Sequence, residues 1–126
     1  MVTLLVDDTR LFKDGRPAEV ARTSDEAIEA LRAIGKEQID ELWLDYDLLF
    51  ETTSQPFVDH LLALAAAGHA PTIGTLWVHT SQIRDGRRLV DDLTQAGYPA
   101  RRSYAANMWV RNTTPVTPPE SVDALP

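Results

Sequence analysis

Acidic side chains follow two apolar runs of this 126-residue chain at short spacing. Asp7 and Asp8 come directly after Val2 to Val6, and Asp45 and Asp47 stand at the end of the run "LWLDYDLL". A buried strand has no need of carboxylates, and crowded carboxylates repel one another unless a cation intervenes. Mg²⁺ accepts carboxylate oxygens together with water and phosphate oxygens. The spacing therefore predicts that all four aspartates bind a divalent metal, Mg²⁺ or Mn²⁺.

A third apolar run, residues 73 to 78, ends in His79, Thr80 and Ser81. A histidine can exchange protons near neutral pH, so His79 is predicted to be catalytic as a general acid, next to Asp45. A role as metal ligand and a role in the core stay open for this histidine. Two further groups are predicted to bind phosphate at the same edge: the hydroxyls of Thr80 and Ser81, and the guanidinium groups of Arg10, Arg101 and Arg102.

Helices alternate with the strands that position these residues. Thr23 and Glu26 form a capping box for a first helix that Gly35 ends. A second helix is predicted from Pro56 to Gly68, and a third from a cap at Ser81 to Gly97. Only about a dozen residues separate Asp8 from the next strand, so the helix expected there is reduced or missing.

This alternation predicts an α/β fold with a parallel sheet of about five strands and helices on both faces. The carboxyl ends of parallel strands meet at one edge of the sheet, where ligands bind. The domain is expected to cover residues 1–111. Residues 112–126 contain four of the eight prolines and are predicted to be a disordered tail.

The composition limits the possible partners. A net charge of −7 argues against general nucleic-acid binding, which needs a basic face. The chain has no cysteine and no apolar run of membrane-spanning length, so we expect a cytoplasmic protein that does not contact membranes. A small phosphorylated substrate is the expected partner, and the sequence leaves the oligomeric state open.

Four separated stretches, "DDTR", "ARTSDEAIEAL", "LDYDLL" and "VHTS", occur in the order typical of one family. They resemble the motifs of the cyclic-phosphate-processing receiver domain, a divergent relative of response-regulator receivers. The resemblance implies a receiver-like, flavodoxin-like fold and covers roughly residues 2 to 104. The chain departs from the family's usual residues at Tyr46, Leu49 and Gln82. It also lacks the lysine that receivers carry at the end of their last strand, and offers Arg101-Arg102-Ser103 there.

Three functions are compatible with this resemblance. The first is a metal-dependent phosphoesterase that processes a cyclic phosphate of a nucleotide or ADP-ribose type. The second is a non-enzymatic receiver-like module that binds a phosphorylated ligand or a protein partner. The third is a phosphoacceptor receiver, which ranks last because the lysine is absent. No sensor kinase is expected, because the helix that docks the kinase in receivers is short or missing.

Overall fold

The computed structural model describes residues 1–116, which fold around a five-stranded parallel sheet. Three α-helices and a separate two-stranded ribbon accompany the sheet. The strands are β1 (Thr3–Val6), β2 (Arg10–Phe12), β3 (Glu19–Ala21), β4 (Ile39–Leu44), β5 (Ile73–Val78), β6 (Ala100–Arg102) and β7 (Trp109–Arg111), and the helices are α1 (Ser24–Ile34), α2 (Gln55–Ala66) and α3 (Ile83–Gln95).

The strand order of the sheet is β3-β1-β4-β5-β6, with every pair parallel. The predicted receiver-like α/β fold is therefore confirmed. The missing first helix is confirmed too, since the segment between β1 and β3 contains only the short strand β2. The carboxyl ends of β1, β4 and β5 lie side by side, because Val6 pairs with Leu44 and Leu44 pairs with Val78.

One face of the sheet carries all three helices. Alternate strand residues such as Leu4, Leu42 and Leu76 point to this face and are completely buried. The helices cover them with apolar side chains, among them Leu61 of α2 and Leu89 of α3, in a single core. Burial of this apolar surface is the main term that stabilises the fold.

The opposite face is covered by the ribbon of β2 and β7, which run antiparallel. Leu5, Phe12 and Trp43 form a second core there, against which Trp77 and Trp109 pack. The prediction of helices on both faces is therefore wrong for residues 1–116. The physical reason is that the ribbon buries the odd-numbered strand residues that a helix would otherwise cover.

Local signals at the helix ends are confirmed for α1 and corrected for α3. The hydroxyl of Thr23 accepts the N–H of Glu26 at 3.1 Å, and the Glu26 carboxylate accepts the N–H of Arg22 at 2.7 Å. Ser81 does not cap α3. A cap at Ser81 would start the helix at Gln82, but α3 starts at Ile83. Gln82 occupies the cap position without a side-chain bond, and its N–H is donated to the Thr80 hydroxyl at 3.1 Å.

The chain beyond β7 continues along the domain for as far as it is described. The N–H of Asn112 is donated to the Thr9 carbonyl at 2.7 Å, and Arg22 donates to the Thr114 carbonyl at 2.6 Å. Residues 117–126, which make up most of the predicted disordered tail, lie outside the described part of the chain. Among residues 1–116, no helix has the length and apolar character needed to cross a membrane.

Candidate functional site

Three carboxylates meet where β1 and β4 end. Asp7, Asp8 and Asp45 each offer an oxygen, and these oxygens all lie within 4.8 Å of one another. Asp7 is fully buried and Asp45 is 8% exposed, whereas Asp8 is half-buried. The backbone fixes the arrangement, because the N–H of Asp45 is donated to the Val6 carbonyl at 2.9 Å. These three aspartates were among the predicted metal ligands.

Asp47, the fourth predicted metal ligand, is not a member of this group. Its side chain is exposed and accepts a hydrogen bond from Gln82 Nε2 at 3.1 Å. The chain has left β4 by this point, and Asp47 forms an isolated bridge with Thr53. The alternation that would aim Asp45 and Asp47 in one direction holds only within a strand. The predicted set of four carboxylates is therefore corrected to three.

Two carboxylates of the group, Asp45 and Asp8, have pKa values raised toward the neutral form. Burial, followed by the charge of Asp7, raises the pKa of Asp45 to about 7. Burial and the charge of Asp7 also raise the pKa of Asp8. A hard divalent ion would neutralise the excess charge, and oxygen-only ligands suit Mg²⁺ or Mn²⁺. The donor set thus fits the predicted metal.

Asp7 is held in place through both of its oxygens. Oδ1 accepts the backbone N–H groups of Thr9 at 2.9 Å and Arg10 at 3.0 Å. Oδ2 lies 2.7 Å from Nε2 of His79. The Arg10 guanidinium stands 3.9 Å from the same oxygen. The carboxylate therefore keeps a fixed orientation toward Asp8 and Asp45.

His79 is buried against aromatic rings. Its ring stacks on Trp109, with centroids 4.6 Å apart and planes 24° apart, and meets the edge of Trp43. Burial lowers the pKa of His79, and the hydrogen bond to Asp7 opposes this shift only in part. A neutral imidazole that donates from Nε2 to Asp7 satisfies this geometry. Among the described residues, Nδ1 has no hydrogen-bond partner.

This geometry favours a different role for His79 from the predicted one. Nε2 faces a carboxylate of the proposed metal site, and Nδ1 is buried. A histidine that donates to a ligating carboxylate orients that ligand and tunes its basicity. The arrangement therefore supports positioning of Asp7 more directly than donation of a proton to a substrate.

The three predicted phosphate-binding arginines lie in different places. Arg10 stays beside the carboxylates and donates to the His79 carbonyl at 3.3 Å. Arg102 donates to the carbonyls of Val78 at 3.4 Å and Thr80 at 3.0 Å. Arg101 is exposed on the ribbon side of the sheet. Its guanidinium carbon lies 5.7 Å from the ring centroid of Trp77. Arg10 is thus the arginine of this set that lies directly beside the carboxylates.

The predicted hydroxyls differ in their access. Thr80 is 6% exposed and its oxygen accepts the N–H of Gln82, whereas Ser81 is exposed at the start of the segment that leads into α3. Ser81 is therefore the more accessible of the two for an incoming phosphate oxygen.

The sequence profile of the cyclic-phosphate processing receiver domain family matches residues 2–95. The chain belongs to this family. The match includes Asp7, Asp8, Asp45 and His79, so the receiver domain contains the whole carboxylate group and its histidine. No curated protein matches the chain.

Trp109 and Arg22 contact the site of this receiver domain and were not predicted from the sequence. Trp109 lies beyond the matched residues and reaches His79 only because β7 pairs with β2. Arg22 donates from Nε to the Asp8 carbonyl at 2.9 Å and so connects β3 to the acidic turn. The contact of Trp109 leaves no local signal, since it joins residues that are distant in the chain. Arg22 stands in the stretch "ARTSDEAIEAL", and its place in that family motif was the signal that could have found it.

Arg102 depends on a glycine of α3 for its position. A Cβ on Gly86 would collide with the Arg102 guanidinium and would approach the Thr80 methyl group to 3.0 Å. In an ordinary helix, replacement of glycine by alanine stabilises by about 1 kcal/mol. Here we expect Gly86→Ala to lose that gain, because it displaces Arg102 from the carbonyls of Val78 and Thr80.

The prediction can be tested by urea unfolding of four proteins: the parent, Gly86→Ala, Arg102→Ala and the double variant. We expect Gly86→Ala to stabilise by about 1 kcal/mol when Arg102 is already alanine, and to be neutral or destabilising when Arg102 is present. Equal effects of Gly86→Ala in both backgrounds would contradict the packing described.

Proposed function

We propose that this receiver domain is a metal-dependent phosphoesterase that opens a cyclic phosphate of a nucleotide or ADP-ribose type. The observation that carries the proposal is the group of Asp7, Asp8 and Asp45, whose charges crowd one another at the ligand-binding edge of the sheet. The family's description as cyclic-phosphate processing supports the substrate class.

The three aspartates would hold the metal, which when bound would polarise the phosphate and favour ionisation of water. Arg10 would compensate charge on the phosphate oxygens, since its guanidinium stands beside Asp7. His79 and the N–H groups of Thr9 and Arg10 would keep Asp7 in orientation. Water adds to phosphorus, one ring P–O bond breaks, and the released ring oxygen takes a proton that the water gives up. The product is a monoester.

The test is a screen of cyclic phosphates with the purified protein in Mg²⁺, in Mn²⁺ and in EDTA, followed by phosphorus NMR. We expect a monoester to form from at least one cyclic phosphate in the presence of metal and none to form in EDTA. The same screen with Asp45→Asn controls for a contaminating enzyme, because that variant should be inactive. Binding of the cyclic phosphates without any turnover would instead favour the non-enzymatic binding module.

A further inference from the structure

A pocket of about 280 Å³ opens beside the candidate site. Arg10, His79 and Ser81 contribute to its polar side, and residues 103–106 with Trp109 form the other side. Arg10 and His79 also contact Asp7, so the polar side adjoins the carboxylate group. A ligand with its phosphate at the carboxylates would therefore extend its remaining part into this pocket.

The part of the pocket lining that residues 104–109 contribute consists of aromatic rings and alanines. Tyr104 is 80% exposed, and the Arg102 guanidinium carbon stands 5.0 Å from its ring centroid. Trp109 adds a second ring, whose Nε1 donates to the Ala105 carbonyl at 3.3 Å. Ala105 and Ala106, which have short side chains, also line the pocket next to the exposed ring of Tyr104. Such a wall suits a flat aromatic group better than an open-chain polyol.

The segment that forms this wall is fixed at both of its ends. The N–H of Ser103 is donated to the Val78 carbonyl at 2.9 Å, and the Met108 carbonyl accepts the N–H of Lys13 at 2.8 Å. Hydrogen bonds at both ends restrict the conformations of this segment, so a ligand that binds here loses less free energy in ordering it. The pocket is thus largely formed before any ligand arrives, as is usual for small-molecule sites.

We propose that this pocket is a base-binding subsite, so that the substrate is a cyclic phosphate on a nucleoside. The inference rests on the proposed function for the position of the phosphate. Stacking of the base against Tyr104 supplies the affinity. The guanidinium of Arg102 lies over the ring of Tyr104 and holds this ring in place by a cation–π contact. The pocket volume of about 280 Å³ lies just below the usual range of about 300–1,000 Å³, so the pocket suits a ligand no larger than a single nucleotide.

The experiment measures binding, so that it does not depend on turnover. Adenosine 2′-monophosphate and glycerol 2-phosphate are titrated calorimetrically into the protein in Mg²⁺. Both carry a monoester on a secondary carbon, and only the first carries a base. We expect the nucleotide to bind about 10- to 100-fold more tightly. Tyr104→Ala should remove this preference and leave the Kd of glycerol 2-phosphate unchanged, whereas Tyr104→Phe should keep the preference.

Equal affinity for the two ligands, no measurable binding of the nucleotide, or a preference that survives Tyr104→Ala would overturn the subsite. The ring of Tyr104 is mostly in solvent, so its loss should leave the folded domain intact. The outcome is independent of the hydrolysis screen. Hydrolysis without a base preference would remove the subsite alone, and a base preference without hydrolysis of any cyclic phosphate would remove the phosphoesterase function alone.

Discussion

Asp45→Asn is expected to make the metal-free protein more stable. The folded protein raises the pKa of Asp45 from 3.8 to about 7, chiefly through burial and the charge of Asp7. Near pH 8 the buried carboxylate is ionised at a cost that an uncharged amide avoids. A shift of about three pKa units corresponds to at most about 4 kcal/mol, so we expect a gain of about 2–4 kcal/mol. Urea unfolding of Asp45→Asn and of the parent in EDTA measures this difference in the free energy of unfolding.

The pH dependence of this gain has a definite sign. The pKa of Asp45 is higher in the folded protein than in the unfolded chain. The contribution of Asp45 to the free energy of unfolding is therefore fully present below about pH 3.8, where the carboxyl is protonated, and is lost as the pH rises to about 7, where it ionises. The difference in the free energy of unfolding between Asp45→Asn and the parent should therefore grow from pH 4 to pH 8. Asp47→Asn is the matched control, since Asp47 is exposed and outside the group, and it should show no such trend.

The same substitution should remove metal binding. Loss of a group that hydrogen-bonds to a metal ligand typically costs about 10- to 100-fold in metal affinity, and we expect loss of a ligand itself to cost more than about 100-fold. Calorimetric titration with Mg²⁺ and with Mn²⁺ tests this, again with Asp47→Asn as the control. If Asp45→Asn bound metal as tightly as the parent, the carboxylate group would not be the metal site.

His79→Ala should weaken metal binding about 10- to 100-fold, and turnover should fall with it. The reason is the hydrogen bond of 2.7 Å between Nε2 of His79 and Oδ2 of Asp7. Without the imidazole, the Asp7 carboxylate would lose this donor. His79→Gln offers an amide N–H in place of the imidazole and should recover part of the affinity. Calorimetry and the hydrolysis assay are run on the same preparations, with thermal unfolding to record any loss of stability from the buried ring.

Two other roles for His79 would give different results. A general acid would lose about 10²- to 10⁴-fold in turnover while metal affinity stayed unchanged. A histidine that served the core alone would lose thermal stability, and the folded fraction would still bind metal normally. Unchanged metal affinity in His79→Ala would therefore remove the positioning role.

The features that could be predicted from the sequence are those with local causes. The capping box at Thr23 and Glu26 needs only neighbouring residues, and the apolar run of β1 followed by Asp7 and Asp8 indicates both the strand and the acidic turn at its end. Parallel strands then bring Asp45 next to this pair, because Val6 and Leu44 are in register. The core of the candidate metal site follows from that topology.

Features with distant causes could not be predicted in the same way. The ribbon pairs Arg10 with Arg111, and such an antiparallel contact leaves no periodic pattern in either three-residue strand. For that reason the sequence could not say that the second face lacks helices among residues 1–116. Asp47 was misplaced for another reason: the side-chain alternation of β4 ends at Leu44, before the chain turns.

The aromatic packing around His79 has an optical consequence. The chain contains three tryptophans, and all of them belong to one cluster: Trp43 lies 5.4 Å from Trp77 and 5.5 Å from Trp109, measured between ring centroids. Trp109 stacks directly on the histidine that contacts Asp7. The tryptophan fluorescence of the protein therefore arises beside the candidate site. We therefore expect the tryptophan emission of unlabelled protein to change when Mg²⁺ or Mn²⁺ is added, if the carboxylate group binds the ion.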